Sequence, residues 1–334
     1  IVLDKMENYK ILVIRFSSIG DIVLTTPIVR ALKQQLKNVE IHYLTKKTNY
    51  SLLQNNKYID KIHLLEDADL LKKLRKNKFD YIVDLHNNLR TLRIKAMLGV
   101  KSKAFPKLNL KKFLLVNFKI NKLPNIHIVD RYFEATSKLG VTNDKKGLDF
   151  FLQEEDFVSP DALPLDFHNG YIAIVVGSKH FTKQMPLNLL TQICKRLDKP
   201  IILLGDKTDY EKAYKIEKEI GSKVFNGCGA YNINQSSALI KNSLGVITAD
   251  TGLMHIASAL DKNIICLWGN TVMDFGMYPY RAENSQAPTY NFEIKNLSCR
   301  PCSKLGYKKC PKKHFKCMND QNVEEIVRIA NNWE

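Results

Sequence analysis

The sequence predicts an α/β protein with two doubly wound parallel-sheet domains in tandem. Three observations support this fold class. Short apolar runs alternate with helical patterns, as in residues 11–14 before the helical spacing of residues 27–37. Turn signals replace this alternation at residues 156–169, and it then restarts. A chain of 334 residues with 45% apolar content is long enough for two hydrophobic cores.

In the first half, short apolar strands precede helices in regular order. Strands are predicted at residues 11–14, 39–44, 61–65 and 79–85, and helices at residues 27–37, 70–76 and 130–139. Pro27 fits a first helical turn, and Gly20 is expected to supply backbone freedom in the turn before it. Met6 is interpreted as the natural start, with residues 1–5 upstream of it. Residues 1–160 are the predicted first domain.

The second half repeats the alternation. Strands are predicted at residues 171–176, 200–205, 223–225, 243–248 and 263–268, the last of which is expected to close the series. One helix is expected to begin at Asp209, and another covers residues 323–333. Residues 161–320 are the predicted second domain, followed by a terminal helix within residues 321–334.

The net charge of +17 predicts anionic partners, which include nucleic acid, acidic membrane surfaces and phosphate-rich substrates. The basic, apolar stretch at residues 101–122 either lies on an anionic membrane surface or is an ordinary solvated surface segment. No apolar run approaches the roughly 20 residues that span a bilayer, and no signal peptide is recognised. Seven cysteines without a secreted disulfide pattern favour a reduced, cytoplasmic protein.

Two polar turns follow predicted strands in the first half. The first runs from Arg15 to Pro27 and places Asp21 where open α/β sheets bind ligands, although Ser18 or Asp21 could simply cap the following helix. The second follows Asp84 and offers Arg90 and Arg93, which suit bidentate contacts with carboxylates or phosphates. A surface helix start is the alternative for the second turn.

Two further polar turns follow strands in the second half. The turn Asp250-Thr251-Gly252 opens a helix, whose free N–H groups and dipole favour phosphate, although Asp250 could simply cap the helix and His255 could be a partly buried helix residue. The loop from Ser178 to Pro186 brings lysines and hydroxyls to the same sheet edge, where cations could neutralise a diphosphate without a metal. A solvated basic loop is the alternative. Neither a Walker A pattern nor a full G-x-G-x-x-G occurs, which argues against standard nucleotide-hydrolysing and nicotinamide-dependent enzymes.

Taken together, these motifs resemble the ADP-heptose:lipopolysaccharide heptosyltransferases, glycosyltransferase family 9. The resemblance covers nearly the whole chain in the right order. It rests on residues 15–27, 84–91, 127–131, 178–186 and 250–255. It implies the GT-B fold, in which two Rossmann-like doubly wound domains face a cleft, with a last helix that packs back on the first domain. It also implies an inverting, metal-independent transferase of the EC 2.4 class.

The resemblance assigns roles to matching positions. Asp21 matches the general base, and Lys183, shortly before Pro186, matches a lysine on the donor phosphates. Relatives often have a histidine and an aromatic residue before that proline, whereas this chain has Gln184 and Met185. The implied donor-binding residues are Ser178, Lys183, Asp250, Thr251, Gly252, Leu253 and His255, with either Asp206 or Glu211 on the ribose. The implied acceptor-binding residues are Ser17, Ser18, Gly20, Asn87, Arg90, Arg93 and Arg131.

The expected partners are ADP-heptose, an anionic lipopolysaccharide-core acceptor and the inner face of the cytoplasmic membrane, for a peripheral monomer that binds no nucleic acid. Catalysis is expected to need no cofactor. The thiols of Cys299, Cys302, Cys310 and Cys317 are sufficient for a structural zinc, with reduced or oxidised cysteines as the alternative. Two other functions stay open: a glycosyltransferase for another nucleotide sugar or surface glycan, and a basic zinc protein that binds nucleic acid, although no RNP-type motif is present.

Overall fold

The computed structural model describes residues 9–334, so the interpretation of Met6 as the start lies outside the described residues. The strands are β1 Tyr9–Ile14, β2 Val39–Thr45, β3 Lys61–Leu64, β4 Tyr81–Asp84, β5 Ser102–Ala104, β6 Ile172–Val175, β7 Ile201–Leu204, β8 Val224–Asn226, β9 Gly245–Ala249, β10 Asn263–Trp268 and β11 Thr289–Glu293. The helices are α1 Ile19–Val23, α2 Thr26–Gln35, α3 Leu70–Asn77, α4 Leu89–Leu98, α5 Asn109–Phe118, α6 Ile128–Phe133, α7 Leu187–Arg196, α8 Tyr210–Ile220, α9 Ile233–Asn242, α10 Gly252–Ala259, α11 Lys316–Asn319 and α12 Val323–Asn331.

The chain folds into two compact units. The first unit comprises the chain up to Leu108, Ile126–Phe151 and Tyr280–Asn284. The second unit comprises Asn109–Asn125, Leu152–Pro279 and Ser285–Glu334. The predicted division at residue 160 is therefore too simple, because α5 belongs to the second unit and a short later segment returns to the first.

The first unit contains a five-stranded parallel sheet in the order β3-β2-β1-β4-β5. β1 is central, and its apolar residues 11–14 are fully buried because helices cover both faces of such a sheet. Leu12, Ile14 and Ile82 pack with Leu70, Leu74 and Ile94 of the flanking helices. The carboxyl ends of β1 and β4 are adjacent, so the turns that follow them meet at one edge.

The second unit contains a six-stranded parallel sheet in the order β11-β10-β9-β6-β7-β8. Its central strands β6 and β9 are buried along their whole length. The predicted closing strand, β10, is followed by one more, because β11 pairs with it in parallel as an edge strand. Thr289–Glu293 is partly exposed, so its pattern lacks the continuous apolar run that marks a central strand.

The terminal helix α12 is part of the second unit, whereas the resemblance had implied packing on the first domain. Ile326, Ile329 and Ala330 belong to the apolar core beside the second sheet. The ring of Trp333, just beyond the helix, packs closely on the backbone of Gly245. A Cβ atom added to Gly245 would lie 2.5 Å from that ring. The strong amphipathic pattern of the helix predicts a buried face but does not identify the sheet that covers it.

Two smaller expectations also differ from the structure. The predicted helix at residues 130–139 is α6 followed by a 3₁₀ segment at Glu134–Leu139. Gly20 lies inside α1 rather than in a turn, and it is not among the glycines with positive φ. Pro27 occupies the first turn of α2, as predicted. Across residues 9–334, no helix combines the length and apolar character that crossing a bilayer requires.

Candidate active site

The turn after β1 holds Asp21 in an ion pair. Arg15 Nη2 lies 2.6 Å from Asp21 Oδ1, while Asp21 Oδ2 accepts hydrogen bonds from the backbone N–H and the hydroxyl of Ser18 at 3.0 and 2.7 Å. Asp21 therefore does close the start of α1, as the capping alternative proposed. It also faces a guanidinium that the sequence analysis did not connect with it.

Arg15 is fixed by its surroundings. Its Nε donates to Ser17 O at 2.7 Å and its Nη1 to Leu85 O at 2.5 Å, which joins the turn after β1 to the turn after β4. Burial alone would lower the pKa of Arg15, but the charge of Asp21 raises it above its usual value. A charged guanidinium therefore lies in contact with the carboxylate.

The turn after β4 is organised by Asp84, which is fully buried. Its Oδ1 accepts from the N–H groups of His86 and Asn87 at 3.0 and 2.7 Å, and its Oδ2 lies 2.8 Å from Lys95 Nζ. Asn87 adopts φ +51°, a left-handed conformation that asparagine tolerates, and its side chain donates to Phe105 O. Asp84 thus supports the loop and does not face solvent.

The predicted acceptor-binding arginines lie in different environments. Arg90 and Arg93 are exposed on α4, and the guanidinium of Arg90 lies 5.8 Å from the ring centroid of Phe16. His86 packs on the same ring at 4.7 Å, and burial lowers its pKa to about 4, so it is neutral at physiological pH. Arg131 on α6 is only 2% exposed, and burial lowers its pKa.

In the second unit, Asp250 follows β9 and pairs with Lys183. Lys183 Nζ lies 2.6 Å from Asp250 Oδ2, which also accepts from Thr271 Oγ1 at 2.8 Å. Burial would raise the pKa of Asp250, but Lys183 and the hydrogen bonds lower it below its usual value. The two predicted donor motifs, 178–186 and 250–255, therefore meet at one edge of the sheet.

The helix that follows Asp250 has its amino end at this edge. Thr251 is the N-cap of α10 and accepts from Met254 N at 3.3 Å, while its hydroxyl contacts Thr248 Oγ1 at 3.1 Å. Gly252 and Leu253 form the first helical turn, and His255 is buried within the helix. A half-buried lysine beside a helix amino terminus is an arrangement that binds phosphate.

The loop that carries Lys183 is held from two sides. Gln184 Nε2 donates to Ser178 O at 2.7 Å, and the Lys212 ammonium donates to Met185 O at 2.9 Å. Thr182 and Tyr307 exchange hydrogen bonds, with Thr182 N donating to Tyr307 O and Tyr307 N donating to Thr182 Oγ1. The cysteine-containing tail thus supports the loop of Lys183.

A cavity of about 360 Å³ opens beside the ends of β7 and β8. Its lining residues are Lys207, Tyr210, Glu211, Asn226, Cys228, Gly229 and Ala230. Of the two ribose candidates, Glu211 lines this cavity. The carboxylate of Asp206 accepts from the N–H and hydroxyl of Thr208, so it caps the local turn.

The tail cysteines do not form a metal centre in this structure. Within residues 9–334, no three His, Cys, Asp or Glu side chains are grouped so that they could hold a metal ion. Cys299, Cys302, Cys310 and Cys317 are free thiols, and burial raises the pKa of Cys317 to about 12. A structural zinc needs several such side chains grouped at tetrahedral spacing, so the arrangement of these thiols does not support one.

Sequence reasoning missed three residues of these clusters: Arg15, Thr271 and Lys212. Arg15 is the first residue after β1 and Thr271 follows β10 closely, so the rule that ligands bind at strand ends could have identified both. Lys212 lies within α8, and nothing in its helical pattern indicates contact with the loop of Lys183.

Two doubly wound parallel sheets in one chain, each with charged turns at its carboxyl edge, define the GT-B class. The fold is similar to a glycosyl transferase family 9 structure from Veillonella parvula, with TM-score 0.75, 19% identity and coverage of 98% of this chain and 97% of that one. It is also similar to E. coli ADP-heptose lps heptosyltransferase II, with TM-score 0.72, 18% identity and coverage of 96% and 97%. The predicted fold class is thereby confirmed.

The family follows from the sequence itself. The model of glycosyltransferase family 9 (heptosyltransferase) matches residues 68–308. Lipopolysaccharide heptosyltransferase 1 of Campylobacter coli is 27% identical over 291 residues, which cover 78% of this chain and 84% of that protein. The chain belongs to glycosyltransferase family 9, the heptosyltransferases, as its motifs predicted.

Proposed function

We propose that this protein transfers heptose from ADP-heptose to a lipopolysaccharide-core acceptor, with inversion and without a metal. A single observation supports donor binding, namely the Asp250–Lys183 pair at the amino end of α10. The names of the family and of the relatives support the sugar and the acceptor. The protein acts as a cytoplasmic monomer at the inner face of the membrane and needs no nucleic acid.

The donor binds to the second unit in this proposal. The nucleoside occupies the cavity beside β7 and β8, where Glu211 accepts from the ribose hydroxyls and Tyr210 offers a ring face. The diphosphate lies at Thr251 and Gly252, and Lys183 transfers one hydrogen bond from Asp250 to a phosphate oxygen. Glu211 is preferred to Asp206 because the latter already accepts two local bonds.

The acceptor binds to the first unit. Arg90 and Arg93, which are exposed, face the anionic sugars, with Ser17, Ser18 and Asn87 as polar contacts. Gly20 keeps the start of α1 free of a side chain. Arg131 is buried, so its role is to support the unit from within.

The reaction is a single displacement. The acceptor hydroxyl oxygen attacks the anomeric carbon, its proton passes to the Asp21 carboxylate, and the bond between that carbon and the phosphate oxygen of ADP breaks. Lys183 and the N–H groups of α10 stabilise the charge on the departing ADP. Arg15 holds the carboxylate in place, so that Asp21 needs no reorganisation when the proton moves.

A thermal-shift screen of nucleotide sugars tests the donor. A selective shift with ADP-heptose is expected, whereas stabilisation only by UDP- or GDP-sugars would replace this donor by the alternative nucleotide sugar. Asp21→Ala should abolish transfer while the ADP-heptose shift remains. Asp67→Ala is the matched control, because it removes a partly exposed carboxylate of the same unit that pairs with Lys73, and it should leave transfer unchanged. Full turnover by Asp21→Ala would reject Asp21 as the base.

A further inference from the structure

The second unit exposes an apolar face on α5. Leu115 and Val116 pack inward against Val272 and Phe275, and Lys112 lies over the ring of Phe275. The opposite side of the helix carries Leu110, Phe113 and Phe118, which are 73%, 53% and 61% exposed, and Ile120 follows with 47%. The rings of Phe113 and Phe118 lie 6.0 Å apart. The helix is thus apolar on two sides, and only one of them is covered.

The tail loop at residues 300–316 lies alongside this helix. Lys304 Nζ donates to Asn109 Oδ1 at 2.7 Å at the start of α5, and Lys119 Nζ donates to Pro301 O at 2.7 Å just beyond its end. The loop adds two more exposed apolar side chains, Leu305 and Tyr307. Helix and loop therefore form one surface, which we term the α5–tail surface.

The charge of the α5–tail surface has one sign. Residues 109–125 contain four lysines and no Asp or Glu, and residues 300–316 contain seven Lys or Arg and no Asp or Glu. Two copies of the chain would repel each other across such a surface, so a second copy is not the partner that it fits. Exposed aromatic and aliphatic side chains among lysines are instead what an anionic bilayer interface binds.

We propose that the α5–tail surface docks this protein on an anionic phospholipid bilayer. The apolar side chains on the exposed side of α5 enter the acyl–headgroup boundary, and exposed lysines such as Lys111, Lys308 and Lys309 pair with lipid phosphates. The choice of a bilayer as partner rests on the proposed function, since a lipid-linked acceptor lies in a membrane. The docking itself involves neither the donor nor the turn that carries Asp21.

Flotation with vesicles tests the proposal on the full chain. Wild-type protein should float with phosphatidylglycerol-containing vesicles, bind pure phosphatidylcholine vesicles at least tenfold more weakly, and lose binding as salt rises. The double variants Phe113→Ser/Phe118→Ser and Lys308→Glu/Lys309→Glu should each weaken binding at least tenfold. Their targets are exposed, so the fold should persist, which circular dichroism checks.

Matched controls separate the surface from overall charge and hydrophobicity. Lys215→Glu/Lys218→Glu changes the net charge equally, and Leu165→Ser removes an exposed apolar side chain elsewhere in the same unit; both should float like wild type. Equal weakening by the controls, no flotation of the wild type, or a change of oligomeric state in the α5 variant would overturn the proposal. If the wild-type protein floats but transfers no heptose, only the proposed function is overturned. If it transfers heptose to an acyl-free acceptor but does not float, only the docking surface is overturned.

Discussion

The two sheets end in turns that look alike but hold their cations differently. In each, an aspartate near the start of a helix pairs with a cation at 2.6 Å. Arg15 comes from the same turn as Asp21, has a side chain that is 10% exposed, and also binds two backbone carbonyl groups. Lys183 comes from a different loop, and its side chain is 17% exposed, with Asp250 as the hydrogen-bond acceptor.

The difference indicates which cation can move. Arg15 cannot leave Asp21 without abandoning Ser17 O and Leu85 O, so it is a fixed support for the carboxylate. In the proposed donor complex, Lys183 would give up one bond to reach a phosphate, and Thr271 would still donate to Asp250. A fixed pair suits a group that must stay in place, and an exchangeable pair suits a ligand that comes and goes.

The largest expected effect comes from removing the fixed cation. Arg15→Met should lower the free energy of unfolding by about 3 kcal/mol, because a carboxylate and two backbone carbonyl groups lose their donor. This is the low end for buried pairs, since Asp21 retains 20% side-chain exposure. Denaturant unfolding measures it. Arg75→Met, at an exposed arginine of α3, should change the free energy of unfolding by less than about 0.5 kcal/mol. If both substitutions lowered it equally, Arg15 would not be a fixed support.

The exchangeable cation should act on binding rather than folding. Lys183→Ala should weaken ADP binding about 10- to 100-fold, or roughly 1.4–2.7 kcal/mol, because a charge-assisted hydrogen bond to phosphate is lost. Calorimetric titration measures it, and Lys183→Arg should recover part of the affinity. Lys179→Ala removes an exposed lysine of the same loop and should bind ADP normally. If Lys183→Ala binds like wild type, Lys183 is a structural partner only.

The hydroxyl of Thr271, which donates to Asp250, allows a finer test. Thr271→Val should cost about 1 kcal/mol in the free energy of unfolding, since one hydrogen bond to a buried carboxylate is removed. ADP affinity should change by less than about threefold. Thr208→Val, at an exposed hydroxyl that binds Asp206, should cost less. A large loss of ADP affinity in Thr271→Val would mean that Asp250 itself, rather than Lys183, positions the donor.

The two units should also differ in their response to acid. In the first unit, His42 and His63 are hydrogen-bonded at 2.8 Å and buried; burial lowers both pKa values, that of His63 to about 4. In the unfolded chain both histidine pKa values return to about 6.5, so the unfolded chain binds more protons than the folded protein as pH falls below 6.5. The unfolding midpoint should drop by about 2–4 °C between pH 7 and 5.5. His63→Leu should reduce this slope, whereas His168→Gln, at an exposed histidine of the second unit, should not.

Local patterns predicted most of the fold for a clear reason. Strands such as β1 and β6 are buried on both faces, so their sequences are continuously apolar and easily recognised. β5 is three residues long and partly exposed, and β11 likewise lies at a sheet edge, so neither carries that pattern. The assignment of α5 and α12 to the second unit depends on contacts far along the chain, which periodicity does not encode.

The candidate site was predictable to the same extent. The strand-end rule located Asp21, Lys183 and Asp250 because all three follow buried strands. It could not show that Asp21 pairs with Arg15 or that Lys183 pairs with Asp250, since those partners depend on side-chain geometry. The spacing of the tail cysteines suggested a metal site that the arrangement of the thiols does not provide.

The order in which the chain builds its two units has a practical consequence. The chain passes from one unit to the other after residues 108, 125, 151, 279 and 284. No single cut therefore releases a complete unit: a fragment starting near residue 161 would lack α5 and leave Val272 and Phe275 uncovered, and one ending there would lack Tyr280, whose hydroxyl binds Asn143. Exchange of the whole second unit between relatives would accordingly require grafting three segments together, and simple two-piece chimaeras should aggregate.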